Sequence, residues 1–132
     1  SNKNIKLVKK ISHYNLENEI ILFGECLKVY NLINSFDLNI LSSKSESFPL
    51  TLIEAMSCGI PCISTDVGES KKIIGNTGWI VKTENSEEIA KCIYKVYRKK
   101  TLLKEKSKLA RDRVLNLFTL EKMHKKYRSL YI

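Results

Sequence analysis

SSKSESFPLTLIEAMSCGIPCISTDVG, residues 42–68, decides how this chain is read. The stretch opens with small polar residues, which suit the end of a strand. PLTLIEAMSC (49–58) follows as an apolar-periodic run, with Pro49 at its first position and Gly59 just behind it. Pro at the start and Gly past the end favour helix entry and exit, so a helix is expected there. PCISTD (61–66) reads as a strand. Strand, turn, helix and strand in this order form the unit of an α/β domain with a mainly parallel sheet. Within that unit Glu46 stands on the strand-to-helix turn. Glu54 follows after seven residues, inside the helix, where the apolar face is still running.

The same alternation extends in both directions. KNIKLVKKISHY (3–14) has Ile5, Val8 and Ile11 near helical spacing, and EIILFG (19–24) is a β-rich run closed by Gly24, expected as a buried strand. LKVYNLINSF (27–36) repeats apolar residues at Leu27, Tyr30, Ile33 and Phe36, as an amphipathic helix does. DLNILSS (37–43) is a short strand leading into the opening stretch. After it, GESKKIIG (68–75) is a loop with one helical turn and GWIVK (78–82) a last strand. Asn85 or Ser86 caps a helix running to about Lys100, with Glu87 and Glu88 suiting the dipole of its first turn. A final helix or helix pair covers 104–131, with a break near Phe118-Thr119.

Composition narrows the class. One domain with one core fits 132 residues, and 43% hydrophobic with 28% charged residues marks a globular chain. No apolar run approaches the ~20 residues of a membrane span, and no secretory signal is read, so a cytoplasmic protein is expected. Cys26, Cys58, Cys62 and Cys92 form no CxxC pair, and His13 and His124 lie far apart. Free thiols and no metal site are the expectation. The net charge of +9 is uneven. Residues 1–90 carry nine Lys and eleven acids, whereas residues 91–132 carry fourteen Lys or Arg and three acids. An electrostatic partner therefore belongs to the C-terminal part: a nucleic acid, an anionic membrane surface or an acidic neighbouring domain. A simply solvated helix face fits the same charges.

In α/β sheets ligands bind outside the carboxyl ends of the strands. Three such exits are polar: Gly24-Glu25, Ser42 to Glu46, and Asp66 to Glu69. They are expected to converge. With Pro49 first in its helix, the amides of Leu50 and Thr51 are free, and a helix start with free amides favours phosphate. Ser47 and Thr51 add hydroxyl donors. An acid at Glu46 does not help a phosphate, but it suits a neutral hydroxylated group such as a sugar. Glu54, ~7.5 Å along the axis from Pro49, lies too far in to cap the helix. It is placed to accept a pair of hydroxyls, as carboxylates do from a ribose. Spacing alone leaves open that Glu46 serves the helix dipole and Glu54 is a surface acid.

The ordered set from Ser42 to Gly68 resembles the donor-binding core of retaining GT-B glycosyltransferases, specifically glycosyltransferase family four. That core reads as a small-polar strand end, E-G-F-G or E-G-F-P, a second Glu with seven residues between, then E-A-M-A-C-G-x-P-V-V-A-T-D-V-G-G. FGECLKVYNLINSFDLNIL (23–41), NTGWIVKTENSEEIAKCI (76–93) and RVLNLFTLEKMHKKYRSLY (113–131) are similar to the segments around it, so nearly the whole chain is covered. The resemblance implies a Rossmann-like three-layer parallel sheet, the C-terminal half of a GT-B fold. It also implies a nucleoside-diphosphate sugar as donor substrate, with no cofactor and no metal. By position, Glu46 contacts and orients the donor sugar and is the catalytic candidate. Phe48, Pro49, Leu50 and Thr51, with Ser47, line the sugar and diphosphate, and Glu54 binds the ribose. Gly24 and Glu25 follow the strand that lines the nucleobase pocket, and Ser43 is the small-polar strand-end position.

The chain departs from that pattern in places. Ser47 and Pro49 replace two frequent glycines, Glu69 replaces the second glycine of the later loop, and Lys72 stands where Glu is common. The resemblance also implies an N-terminal acceptor domain, which is absent here, and two further strands and a helix carrying an Arg and a Lys. Residues 1–132 are therefore read as a partial nucleotide-sugar-binding domain lacking its first two strands. The expectation is that the remaining strands re-pair or that another copy completes the sheet. The implied activity is retaining hexosyl transfer to a saccharide or lipid-linked acceptor in cell-surface polysaccharide or lipooligosaccharide assembly, with the basic tail facing the absent domain or the inner face of the membrane. The isolated chain is expected to turn over little or nothing. A sugar-nucleotide epimerase shares the architecture but not the EAMxCGxP run, and a basic module for nucleic acid or membrane would use residues 91–132. For nucleic acid the tail has few stacking platforms, since Tyr94, Tyr97, Tyr127 and Tyr131 read first as helix-packing residues.

Overall fold

In the computed structural model, which describes residues 4–131, the alternation of the sequence becomes seven helices and three strands. They are α1 (Ile5–His13), α2 (Val29–Ile33), β1 (Asn39–Leu41), α3 (Leu50–Ser57), β2 (Cys62–Thr65), α4 (Ser70–Ile74), β3 (Trp79–Val81), α5 (Ser86–Arg98), α6 (Lys100–Leu117) and α7 (Leu120–Arg128). The strands form one parallel sheet in the order β1-β2-β3, pairing Ile40 with Ile63 and Ile63 with Trp79.

Each end has a local cause. At the C-terminus of α3 the N–H of Gly59 bonds Met56 and that of Ile60 bonds Ala55, each at 3.0 Å. This is the Schellman arrangement, and it needs a left-handed residue after the cap, here Gly59 at φ 76°. Asn85 caps α5 by accepting from the Glu88 N–H at 3.0 Å, and Thr119 caps α7 by accepting from Lys122. That cap places the break between the last two helices where the sequence puts it.

The core lies mainly on one face of the sheet. Leu52, Ala55 and Met56 of α3, Ile73 and Ile74 of α4, Cys62 of β2, and Ala110 and Val114 of α6 form one buried cluster. Right-handed crossovers put α3 and α4 on the same face. Ile63 is fully buried outside that cluster, and α5 packs on β2 and β3, so a helix covers the other face as well. The layer over that second face stops short of β1. Ile40, in register with Ile63, remains 42% exposed.

Four expectations are corrected. EIILFG is not a strand: residues 20–24 are irregular, and Ile21 and Phe23 are exposed. Its apolar composition suits a strand, but a strand needs a neighbour, and among the described residues no strand lies beside it. Nor do the strands re-pair around it, so the sheet ends at β1. The helix expected over 27–36 narrows to 29–33, leaving Leu27 94% exposed. Pro49 is the N-cap of α3 rather than its first helical residue, because its ψ of 96° is extended.

The basic tail has a partly structural use. Arg111 donates to the carbonyl of Ser57, Arg113 to those of Ile73 and Lys72 at 2.7 Å, and Lys106 to that of Asn76 at 2.6 Å. These carbonyls lie at or just past the C-terminal ends of α3 and α4, where unpaired acceptors and the negative dipole end favour cations. Part of the positive charge of α6 thus fastens it to the domain.

Candidate donor-binding site

Two of the three expected strand exits meet. Thr65, the last residue of β2, donates its hydroxyl to the Ser43 carbonyl at 2.7 Å, just beyond the end of β1. The Ser43 hydroxyl donates to the Glu46 carboxylate, also at 2.7 Å. The Glu69 N–H donates to the Ser47 carbonyl at 3.0 Å. Gly68, at φ 48°, lies so close that a Cβ there would be 2.3 Å from the Ser47 carbonyl oxygen and 2.4 Å from that of Glu46. On the side of β3, Lys44 pairs with Glu84, which holds that carboxyl below the usual carboxylate range first by the hydrogen bond and then by the lysine charge.

The third exit stands apart. Gly24 and Glu25 are exposed, and among the described residues neither is hydrogen-bonded to the other two loops. Gly24 does adopt φ 71°, the sharp turn that a glycine ending an apolar run suggests.

At the start of α3, Pro49 is buried and offers no N–H. The Leu52 N–H is already bonded to the Pro49 carbonyl at 3.2 Å. The amides of Leu50 and Thr51 have no acceptor among the described residues. They remain free donors at the positive end of the helix, as the sequence suggested, even with Pro49 one position earlier. Leu50, Thr51 and Glu54 are exposed, whereas Leu52, Ala55 and Met56 face the core. The exposed three are spaced i, i+1 and i+4 and form one strip. Phe48 is 46% exposed beside it. The hydroxyls of Ser47 and Thr51 and the carboxylate of Glu54 have no partner among the described residues.

The result is an open shelf. It carries, in order, a carboxylate oriented by a serine, a helix start with two free amides, and an unpaired carboxylate about one turn further along. A cavity of about 440 Å³ lies elsewhere, at the amino end of β1 between Asp37, Leu38, Val96 and Leu103. It includes none of the shelf residues and sits at the wrong end of the strands for a ligand of this fold. Among the described residues no group of three or more His, Cys, Asp or Glu is placed to hold a metal ion, and no helix is long and apolar enough to cross a membrane.

Sequence reasoning passed over Thr65 and Gly68 as structural participants. The signal was the ST pair ending an otherwise apolar strand, since a hydroxyl buried there must have a use. The two departures at Glu69 and Lys72 are paired in the structure: Glu69 is the N-cap of α4, and its carboxylate lies 3.0 Å from the Lys72 ammonium in the first turn.

Residues 1–113 match the family described as Glycosyl transferases group 1. A Bacillus anthracis N-acetyl-alpha-D-glucosaminyl L-malate synthase is 30% identical over 127 residues, covering 95% of this chain and 33% of that protein. The crystal structure of a glycosyltransferase from Rickettsia africae superposes with a TM-score of 0.91 at 29% identity, over 98% of this chain and 36% of that one. A mutant of S. aureus TarM, solved with fondaparinux, alpha-GlcNAc-glycerol and UDP, superposes with a TM-score of 0.83 at 25% identity, over 97% and 27% of the two chains. The chain spans about a third of the length of curated relatives it matches.

Proposed function

The chain belongs to the glycosyl transferases group 1 family, and from that premise we propose that it is the donor-binding domain of a glycosyltransferase. It holds a nucleoside-diphosphate sugar while a hexosyl unit is transferred, with retention, to a saccharide or lipid-linked acceptor. The observation that carries this reading is the shelf itself. Its order of groups suits a sugar, a diphosphate and a ribose laid end to end.

Glu46 takes the sugar. One of its oxygens is engaged by Ser43, which leaves the other for a sugar hydroxyl. Leu50 and Thr51 present their amides, and Ser47 and Thr51 their hydroxyls, to the diphosphate. Glu54 accepts the ribose hydroxyls, and Phe48 covers the sugar side. Gly24, Glu25 and Ser43 belong to the strand exits around the base and sugar. In the transfer step the diphosphate gathers negative charge as it leaves, and donors already aimed at it are the largest contribution such a site makes. Residues 1–132 supply amides and hydroxyls for this and few cations, so this chain by itself binds the donor weakly and turns over little. Acceptor recognition belongs to a separate N-terminal domain. The reaction is placed on the cytoplasmic side of a membrane, with the basic last helices turned to that domain or to anionic lipid.

Isothermal titration calorimetry of the chain with UDP, GDP and ADP tests the reading, followed by UDP-N-acetylglucosamine, GDP-mannose and ADP-glucose. One base is expected to bind, and Glu54→Ala is expected to weaken it about tenfold, the loss of a charged hydrogen-bond acceptor. Silence of the wild type toward all six, or unchanged binding by Glu54→Ala, refutes it. Nucleic-acid binding would instead depend on tail lysines and fall steeply with salt.

A further inference from the structure

Thr65 is buried, with 1% of its surface exposed, in a strand that is otherwise apolar or small. Its register partner on β3 is Val81, also buried. Packing alone would be met by valine, which has the same shape. The hydroxyl is therefore to be explained by what it touches. Its short bond is the one to the Ser43 carbonyl at 2.7 Å, while the Leu41 carbonyl lies further off at 3.4 Å. Ser43 lies two residues past the end of the β1 ladder, so no sheet bond fixes its backbone.

We propose that Thr65 is a positioning residue for the Glu46 carboxylate, acting through the Ser43 carbonyl and hydroxyl. This rests on the donor-site reading above and adds the part that aims its sugar-binding acid. The turn bearing Glu46 is held at two points that bracket it. Thr65 holds residue 43, and the Glu69 N–H holds the carbonyl of residue 47. Gly68 forms the floor between them, too close to Glu46 and Ser47 for any side chain. The template is itself braced by Ser70, whose hydroxyl donates to the Thr65 carbonyl at 2.8 Å and accepts from the Val67 N–H at 3.1 Å. Through these bonds the segment 65–70 sets the direction of the Glu46 turn.

The test compares sugar nucleotide with bare nucleotide on the full 132-residue chain. Affinities for UDP-N-acetylglucosamine, GDP-mannose and ADP-glucose, and for UDP, GDP and ADP, are measured by calorimetry. The variants are Thr65→Val, Thr65→Ser, Ser43→Ala and, as the reference, Glu46→Gln. For the base that binds, Thr65→Val is expected to weaken the sugar nucleotide about fivefold, the equivalent of one ordinary hydrogen bond, and to leave the bare diphosphate within about twofold. Thr65→Ser restores the hydroxyl and is expected to bind as the wild type does. A role in folding alone would lower both affinities together. Thr65→Val binding the sugar nucleotide like wild type, or weakening both ligands equally, overturns the proposal while the donor site stands. If Thr65→Val does not fold, Ser43→Ala decides on the same criterion, since it removes the next link from a half-buried turn. Wild-type chain silent toward every ligand brings down the donor-site reading first, before any variant is compared, and the template with it.

Discussion

Replacing Gly68 by alanine separates two costs that usually arrive together. Gly68 sits at φ 48°, where an L-residue is strained by about 1–2 kcal/mol. A Cβ there also falls 2.3 Å from the Ser47 carbonyl oxygen, against 3.4 Å for the start of ordinary contact. Closing that gap of about 1.1 Å means moving backbone, because a carbonyl oxygen cannot swing aside as a side chain does. Overpacking of this kind costs about 1–3 kcal/mol. Alanine recovers about 0.4–1 kcal/mol by stiffening the unfolded chain. The net expectation is a loss of about 2–4 kcal/mol, a large part of the ~5–15 kcal/mol that holds a domain together. Gly59→Ala is the control. Its φ of 76° carries the same strain, but its Cβ would meet only Ser107, at 3.5 Å or more. It should cost about 1 kcal/mol. Urea unfolding followed by circular dichroism measures both, and the comparison is the test. Gly68→Ala should be the less stable by about 1–3 kcal/mol, and it should also lose sugar-nucleotide binding at urea concentrations where it is still folded. Equal stability of the two variants would show that the 66–69 loop does not press on the Glu46 turn, and would refute the reasoning.

Burial pushes the Cys62 thiol up to about 12, against a smaller opposing effect from the Asn39 amide. Because the folded state holds that proton more tightly than the unfolded state, its contribution to stability is intact below about pH 8.5 and is lost as pH rises from there toward 12. Stability of the wild type should therefore fall across that window more steeply than that of Cys62→Ala, and maleimide at pH 7.5 should leave Cys62 unlabelled until the chain unfolds. The outer edge of β1 has no strand partner among the described residues, and Ile40 is exposed beside it. Such an edge invites pairing with another chain. Sedimentation velocity is expected to show concentration-dependent association that Ile40→Lys suppresses, and a wild type monomeric at every concentration would count against it.

Much of the site was legible because its parts are local. Pro49, Gly59 and the apolar spacing of Leu52, Ala55 and Met56 define α3 from sequence neighbours alone, and a helix of known rise then places Glu54 relative to its start. The free amides of Leu50 and Thr51 follow from being first in a helix, whichever residue is its cap. Asn85 announces its helix for the same reason, since a cap bonds only two or three residues ahead.

What the sequence determined by itself is the alternation of strands and helices, the order of chemical groups along ESFPLTLIE, and the glycines Gly24 and Gly59 that close an apolar run and a helix. Only the tertiary structure decided which apolar run became a strand. EIILFG has the composition of one but not the neighbour, and pairing is a property of two segments. Only the fold showed that Arg111 and Arg113, which read as free positive charge, cap carbonyls on α3 and α4 that lie 54 and 40 residues away in the chain. And only the fold brought Thr65 to Ser43 across 22 residues, so that a hydroxyl at the end of one strand aims an acid on the turn after another. Local bonds can be read along a chain because their partners are fixed by the helix or turn that makes them. Bonds across the sheet depend on register, and register exists only once the strands have met.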